Sequence, residues 1–302
     1  MGTSRLATLA GVLQETWFPL ADRHQSQVTH TLRQTREILC RYGLEPQRRL
    51  GQNFVVDPNT VRRIAKLSGA SSATTIVEIG GGLGALTLAL AQTGAQVTTI
   101  ECDKRLVAAL RDIVAADNVT VVEGDATSLD WQQILKGQCD VQLVANLPYN
   151  IASTLIIDLL KTVPGFTSML VMVQREVGER LAASVGSKAV GIPSLLVAYH
   201  GTAKIVGRVP ATVFFPQPNV DSVLVQINRH HQLPLEQPLE RIEVLLRAAF
   251  NQRRKMLRRS LHRYLSEDGF ATAGVDSEAR PETLPIRDWS RLAAAIDKPP
   301  PD

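Results

Sequence analysis

Cysteine is scarce. The 302-residue chain has three, Cys40, Cys102 and Cys139, odd in number and far apart. That pattern excludes a disulfide framework and points to a reducing compartment. No run approaches the roughly eighteen consecutive apolar residues of a membrane helix, so no membrane partner is expected. Six histidines are present, two of them adjacent at His230-His231. None is spaced with cysteines or carboxylates as a ligand set would be, so no metal is expected. Aromatic residues make up 5% of the chain, and glycine and proline are unremarkable at 20 and 16. The composition is that of a globular protein, long enough for one large domain and a small one. The net charge of +4 is mild, but its basic residues are unevenly placed.

The most informative stretch is Asp140-Val-Gln-Leu-Val-Ala-Asn-Leu-Pro-Tyr-Asn150. Residues 141–145 form a short, Val-rich apolar run, which reads as a buried strand. Pro148 lacks an N–H and forces the chain out of the sheet, so Asn146, Leu147 and Tyr149 stand where the strand ends. In open α/β sheets ligands bind at the carboxyl ends of strands. An amide oxygen beside an aromatic ring suits a flat base carrying an amino group. A turn that merely contains Asn, Pro and Tyr is the bland alternative.

Upstream, Thr75-Ile76-Val77-Glu78-Ile79 reads as a strand, Gly80-Gly81-Gly82-Leu83-Gly84 as a glycine turn, and residues 85–91 as a helix. This opens a nucleotide-binding βαβ unit. Gly80, Gly82 and Ala85 also satisfy the dinucleotide pattern, so the loop alone does not choose the cofactor. The next strand, residues 96–100, ends at Glu101, whose carboxylate can accept both ribose hydroxyls of an adenosine. A third, residues 119–122, leads to Asp125, which can accept from an adenine amine. Ends at Gly80, Glu101, Asp125 and Asn146, in that order, favour S-adenosyl-L-methionine (SAM) over a dinucleotide.

Residues 1–34 precede the first strong pattern and read as a packed or frayed extension. A short amphipathic helix runs through Leu6, Leu9, Leu13 and Trp17. Glu15 and Asp22 weaken an organelle-targeting reading, which stays open beside a cytoplasmic one. A second short helix ends at Gly43. The Asp57-Pro58 pair starts a further helix, and Gln52 and Asn53 before it have no obvious local role. Residues 169–173 read as a fifth strand, 174–181 as a charged helix, and 184–194 as a loop over the cleft. Residues 195–199 and 203–209 read as strands, 209–222 as a proline-pinned loop holding Phe214 and Phe215, and 223–227 as the strand that closes the sheet. After a polar linker the composition changes. Residues 241–263 carry eight Lys or Arg against one acid, Glu243, with Arg253, Arg254, Lys255, Arg258 and Arg259 the densest group. Such a run favours phosphate binding over a merely solvated helix face.

Taken together, Leu50-Gly-Gln-Asn-Phe54, the glycine loop, Asn146-Leu-Pro-Tyr149, residues 174–181, 209–222 and 250–261 resemble the KsgA-type ribosomal RNA adenine dimethyltransferases, over residues 35–296. The resemblance implies an α/β fold: a Rossmann-like class I SAM-dependent methyltransferase domain over residues 35–228 and a small helical, basic RNA-binding domain over 229–302. It implies transfer of two methyls from SAM to N6 of each of two adjacent adenosines near the 3′ end of small-subunit rRNA. Carried over by motif, Asn53, Val55, Gly80, Glu101, Asp125 and Asn146 form the SAM-contacting set. Asn146, Leu147 and Tyr149 hold the target base, and Phe214 faces it. Arg48 and Arg49 join the C-terminal cations in binding rRNA of the small ribosomal subunit precursor, and the chain is expected to act as a monomer. Three departures stand out: Gly81 where the family often has proline, Val55 where leucine is common, and no aromatic residue near position 190. An Erm-type large-subunit methyltransferase and a non-catalytic RNA-binding assembly or transcription factor on the same fold are the rival readings. Arg280-Pro-Glu-Thr-Leu284 before a terminal helix favours the KsgA type over the Erm type.

Overall fold

The computed structural model describes residues 30–232, 235 and 237–297. The expectations for residues 1–29 lie outside the described residues. Helix α1 (Leu32–Arg41) starts at a capping box, in which Thr31 and Gln34 satisfy each other's backbone groups. After a 3₁₀ turn at Arg48–Leu50 comes the two-residue strand β1 (Phe54–Val55). Helix α2 (Pro58–Ser68) begins as its sequence predicts. Asp57 accepts from the Thr60 N–H at 2.8 Å, Pro58 occupies the first turn, and Gly69 ends the helix in the left-handed conformation.

Strands β2 (Thr75–Ile79), β3 (Gln96–Glu101), β4 (Val119–Glu123) and β5 (Val141–Asn146) alternate with helices α3 (Ala85–Ala91), α4 (Lys104–Ile113) and α5 (Trp131–Leu135). Helix α6 (Ala152–Thr162), β6 (Phe166–Gln174) and α7 (Arg175–Leu181) follow. Strand order is β4-β3-β2-β5-β6, all parallel, so the order reverses between β2 and β5. That switch point opens a crevice at the carboxyl ends of the strands. The central strands β5 and β6 are largely apolar on both faces because helices cover both. One layer packs Leu155, Ile156 and Leu159 of α6 against Leu143, Ala145 and Val171. The other packs Ile64 of α2 and Leu86 and Leu90 of α3 against Ile76, Val144 and Leu170.

Three expectations need correction. Residues 195–199 are not a strand but lie in helix α8 (Ile192–His200). The Ser194 hydroxyl caps the Gly191 N–H at 3.1 Å, and Pro193 sits in the first turn. Val197 faces the sheet core while Leu195, Leu196 and Tyr199 enter a second core. With both sides buried the run has no polar period to mark it as helical. Residues 184–194 are not one loop over the cleft: residues 192–194 open helix α8, and none of the segment lines the cleft. The Gly186 N–H donates to the Glu282 carbonyl at 2.8 Å, and the Lys188 carbonyl accepts from Arg253 at 2.9 Å, so this segment is tied to the C-terminal helices. The last strand, β9 (Ser222–Arg229), does not close the sheet. It inserts antiparallel between β6 and β7 (Gly201–Val209), and β7 is the edge. Between them, β8 (Phe214–Phe215) pairs antiparallel with β1, Phe54 opposite Phe215 and Val55 opposite Phe214.

Helices α9 (Leu239–Asn251), α10 (Leu257–Ser260), α11 (Glu267–Ala273) and α12 (Ile286–Ala294) follow the linker. They build the second core around Trp289, fully buried with Ile242, Leu245 and Leu257. Helix α8 belongs to both cores, and Lys161 of α6 forms a close ion pair with Glu243 of α9. The small helical unit is thereby packed directly on the sheet domain.

Candidate active site

Where β2, β3, β4 and β5 end, a cleft opens. Asn53, Val55, Gly80, Glu101, Asp125 and Asn146 all line it, although they come from five segments of the chain. Gly80, Gly82 and Gly84 have φ of +81°, +56° and +81°, a conformation open to glycine at little cost. This folding of the loop turns the Gly82 N–H onto Glu101 Oε2 at 2.8 Å, while the Asp103 N–H donates to Oε1 at 2.9 Å. Each oxygen keeps a second lone pair for a hydroxyl donor. Burial pushes the Glu101 pKa up, and these two N–H groups oppose that shift. Asp125 is exposed at the mouth. One of its oxygens accepts from the Thr127 N–H and hydroxyl, at 2.9 and 2.7 Å, leaving the other for a ligand.

Pro148 ends the β5 ladder as its chemistry requires. The last bond is from Leu147 N–H to the Met172 carbonyl, 3.2 Å, and the Pro148 carbonyl then accepts from Ile151 and Ala152 to begin α6. The Asn146 amide nitrogen donates to the Asn53 carbonyl at 3.0 Å, which leaves its Oδ1 as the atom free to accept from a ligand. Of the other expected base-holding residues, Leu147 is buried in the sheet core. Tyr149 is half-buried beside the cleft, its hydroxyl 2.9 Å from the Ser222 hydroxyl. Burial raises its pKa, so it is a neutral phenol. Phe214 is 3% exposed and packs in the core that also holds Val55, behind the cleft wall.

The cleft also holds residues that sequence reasoning missed. His30 reaches in from ahead of α1 and bonds the Leu83 carbonyl at 3.0 Å. No sequence pattern surrounds it. Glu78, 1% exposed, lies under the glycine loop and accepts from the Thr87 hydroxyl at 2.5 Å. Burial pushes its pKa up to about 8, so at neutral pH it is an uncharged acid. A charged residue inside an otherwise apolar strand was the available signal. Cys102 also lines the cleft. Burial, with the charges of Glu101 and Asp125, pushes its thiol up to about 11, so it stays protonated.

The cations separate into two groups. Arg48 and Arg49 are exposed on the 3₁₀ turn that enters the cleft wall. Arg253 donates to the Lys188 carbonyl and pairs with Glu282 at 3.6 Å, and Arg258 pairs with Glu278 at 2.9 Å. Distant acids thus answer two of the five C-terminal cations. Arg254, Lys255 and Arg259 are exposed and form no ion pair among the described residues.

A family model for ribosomal RNA adenine dimethylases matches residues 44–298. The chain belongs to that family. Among curated members, it is 44% identical over 264 residues to the ribosomal RNA small subunit methyltransferase A of Leifsonia xyli subsp. xyli, covering 83% of this chain and 93% of that protein. To the protein of the same name from Bifidobacterium longum it is 40% identical over 281 residues, 87% and 92% of the two chains. Among solved structures, a dimethyladenosine transferase from Plasmodium falciparum superposes with a TM-score of 0.68 at 26% identity, covering 78% and 94%. The 23S rRNA methyltransferase ErmE superposes with 0.61 at 27% identity, covering 82% and 100%. The adenine dimethylase family is a family of enzymes, and the cleft retains the acceptors such chemistry needs, which argues against a purely structural factor on this fold.

Proposed function

We propose that this chain transfers methyl groups from SAM to N6 of two adjacent adenosines near the 3′ end of small-subunit rRNA, during small-subunit biogenesis. The observation that carries the reading is the Asn146 amide, held through its nitrogen so that its oxygen serves as acceptor in the cleft that also holds Glu101 and Asp125. Both curated relatives described above carry a small-subunit name, which favours that substrate over the large-subunit one of the ErmE enzyme.

SAM supplies an electrophilic methyl group on a sulfonium. The chain's own residues do the rest. Glu101 accepts the ribose hydroxyls and Asp125 the adenine amine, with Gly80, Asn53 and Val55 as the surrounding wall. Asn146 Oδ1 and a carbonyl of the Leu147 turn accept the N–H bonds of the target amine. That favours a pyramidal nitrogen with an available lone pair. Tyr149 stacks on the base, and Phe214 supports the wall behind it through the β1–β8 pairing. Holding the two reactants in line accounts for on the order of 7–11 kcal/mol of the barrier, and no strong base is required because the amine becomes acidic once methylated. After one transfer an N–H remains for a second.

Residues 35–228 form the catalytic domain, and 229–302 the RNA-binding one. Arg48, Arg49, Arg254, Lys255 and Arg259 contact phosphates, with Arg253 and Arg258 bracing that surface. The chain acts as a monomer in this reading, in the cytoplasm with its rRNA substrate. Labelled SAM incubated with under-methylated small subunits, and with large subunits in parallel, tests the reading. N6,N6-dimethyladenosine in small-subunit rRNA is expected. Label confined to large subunits moves the assignment to the Erm type, and transfer at the wild-type rate by folded Asn146→Ala removes Asn146 from the mechanism.

A further inference from the structure

An amide can sit in its pocket either way round, and only one orientation offers oxygen to an amine. At Asn146 the choice rests on the Asn53 carbonyl, 3.0 Å from Nδ2. That carbonyl belongs to a strap, residues 47–55, laid across the cleft. Beyond Asn53 the strap is pinned by the pairing of β1 with β8 and by the bond from Val56 N–H to the Val213 carbonyl, 2.8 Å. Before Asn53 the anchoring falls to Gln52. Its Oε1 accepts from the Gln47 N–H at 2.8 Å, closing the strap on itself, and its Nε2 donates to Asp103 Oδ2 at 2.9 Å. Among the described residues this is the one hydrogen bond from residues 47–53 to the turn between β3 and α4. Asp103 is a firm anchor. It caps α4 by accepting from the Arg105 N–H, it is gripped by the Arg105 guanidinium at 3.0 and 2.6 Å, and its own N–H donates to Glu101.

We infer that Gln52 is a positioning residue: it ties the strap to the ribose-binding side of the cleft at Asp103 and so aims the Asn146 amide at the target base. The inference rests on the reading of Asn146 given above. Gln52 touches no reacting atom in this account. Its loss lets the Asn53 carbonyl drift and the Asn146 amide sample the wrong orientation, with the carboxylate of Glu101 still in place.

The test exploits the polarity of the Gln52–Asp103 bond. Gln52→Glu keeps the acceptor for Gln47 but sets a carboxylate against a carboxylate. Adding Asp103→Asn restores the bond with donor and acceptor exchanged. Single-turnover methyl transfer to under-methylated small subunits is read at saturating SAM, with SAM affinity by calorimetry and melting temperature alongside. The expected result is a transfer rate about tenfold lower in Gln52→Glu and in Gln52→Ala, with SAM affinity changed less than about threefold. The double variant recovers to within about threefold of Asp103→Asn alone. Wild-type rates in both Gln52 variants, no recovery in the double variant, or a loss confined to SAM affinity each overturn the inference. An arm that needs no activity uses the Asn146 side-chain amide resonance, assigned by its disappearance in Asn146→Ala. Its proton exchange becomes several-fold faster in Gln52→Ala; unchanged exchange overturns the inference even if the wild type methylates neither subunit, a result that separately sinks the proposed function.

Discussion

Replacing Glu78 with glutamine should remove a loss of stability that the wild type suffers as pH rises. Glu78 is 1% exposed on β2, with the Thr87 hydroxyl donating to it and the Glu101 carboxylate nearby. Burial dominates, raising the pKa from 4.5 to about 8, with repulsion from Glu101 adding to it and the Thr87 bond opposing it. The unfolded chain therefore releases this proton at a lower pH than the native protein does. Between those values the native state holds one proton more, so stability falls with rising pH by roughly 1.4 kcal/mol per pH unit, and levels off once the native carboxyl ionises. Glutamine keeps an oxygen for Thr87 and has nothing to titrate. From about pH 6 to about pH 8 the wild type should lose roughly 3 kcal/mol relative to Glu78→Gln. Glu101 is also raised and adds a slope of the same sign, but it is present in both proteins and largely cancels in the difference. Urea unfolding of both proteins at three pH values across that interval measures it. A difference in stability that stays constant with pH would refute the reasoning, because it would mean that Glu78 ionises at the same pH folded and unfolded.

Gly81→Ala should cost about 1–3 kcal/mol, read as a lower melting temperature. An added Cβ would lie 2.3 Å from Thr99 Oγ1 and 2.7 Å from Leu110 Cδ2, and Thr99→Ala in the same chain should recover part of that cost. Tyr149→Phe and Ser222→Ala should each slow methyl transfer a few-fold at saturating SAM, and the double variant should be no slower than either single one, since both remove the same 2.9 Å bond. Arg254→Ala, Lys255→Ala and Arg259→Ala should each reduce the slope of log affinity for rRNA against log salt by about 1. Arg253→Ala should instead lower the melting temperature, since it loses the bonds to Lys188 and Glu282.

Strand ends were legible in the sequence because each is announced locally. A β-branched run stops at a glycine, an acid or an Asn-x-Pro: β2, β3 and β5 end within a residue of those marks, and β4 two residues before Asp125. Helix α8 was illegible for the opposite reason, since burial on both sides erased its period. The insertion of β9 between β6 and β7 was equally hidden, because strand order is decided by distant pairing. Gly81 stood out in the sequence only as a departure from the family's proline. The fold gives it a cause, since Thr99 and Leu110 fill the space a side chain would need. The basic run at 253–259 looked unopposed because its acids, Glu278 and Glu282, are far along the chain.

The same division runs through the site itself. Residue type at position 146 could be read from the sequence, but the direction of the amide could not. Oxygen and nitrogen differ little in shape, and only the surrounding hydrogen bonds tell them apart. The decisive partner, Asn53, is 93 residues away and acts through its backbone, so no side chain at 53 advertises it. Tyr149 likewise owes its position to Ser222, 73 residues on, which looks in sequence like any serine at the start of a strand. Chemistry that depends on which group is present is therefore visible in a motif. Chemistry that depends on where a lone pair points has to be sought in the contacts that constrain it, which is why Gln52 matters although nothing about it drew attention in the sequence beyond its want of a local role.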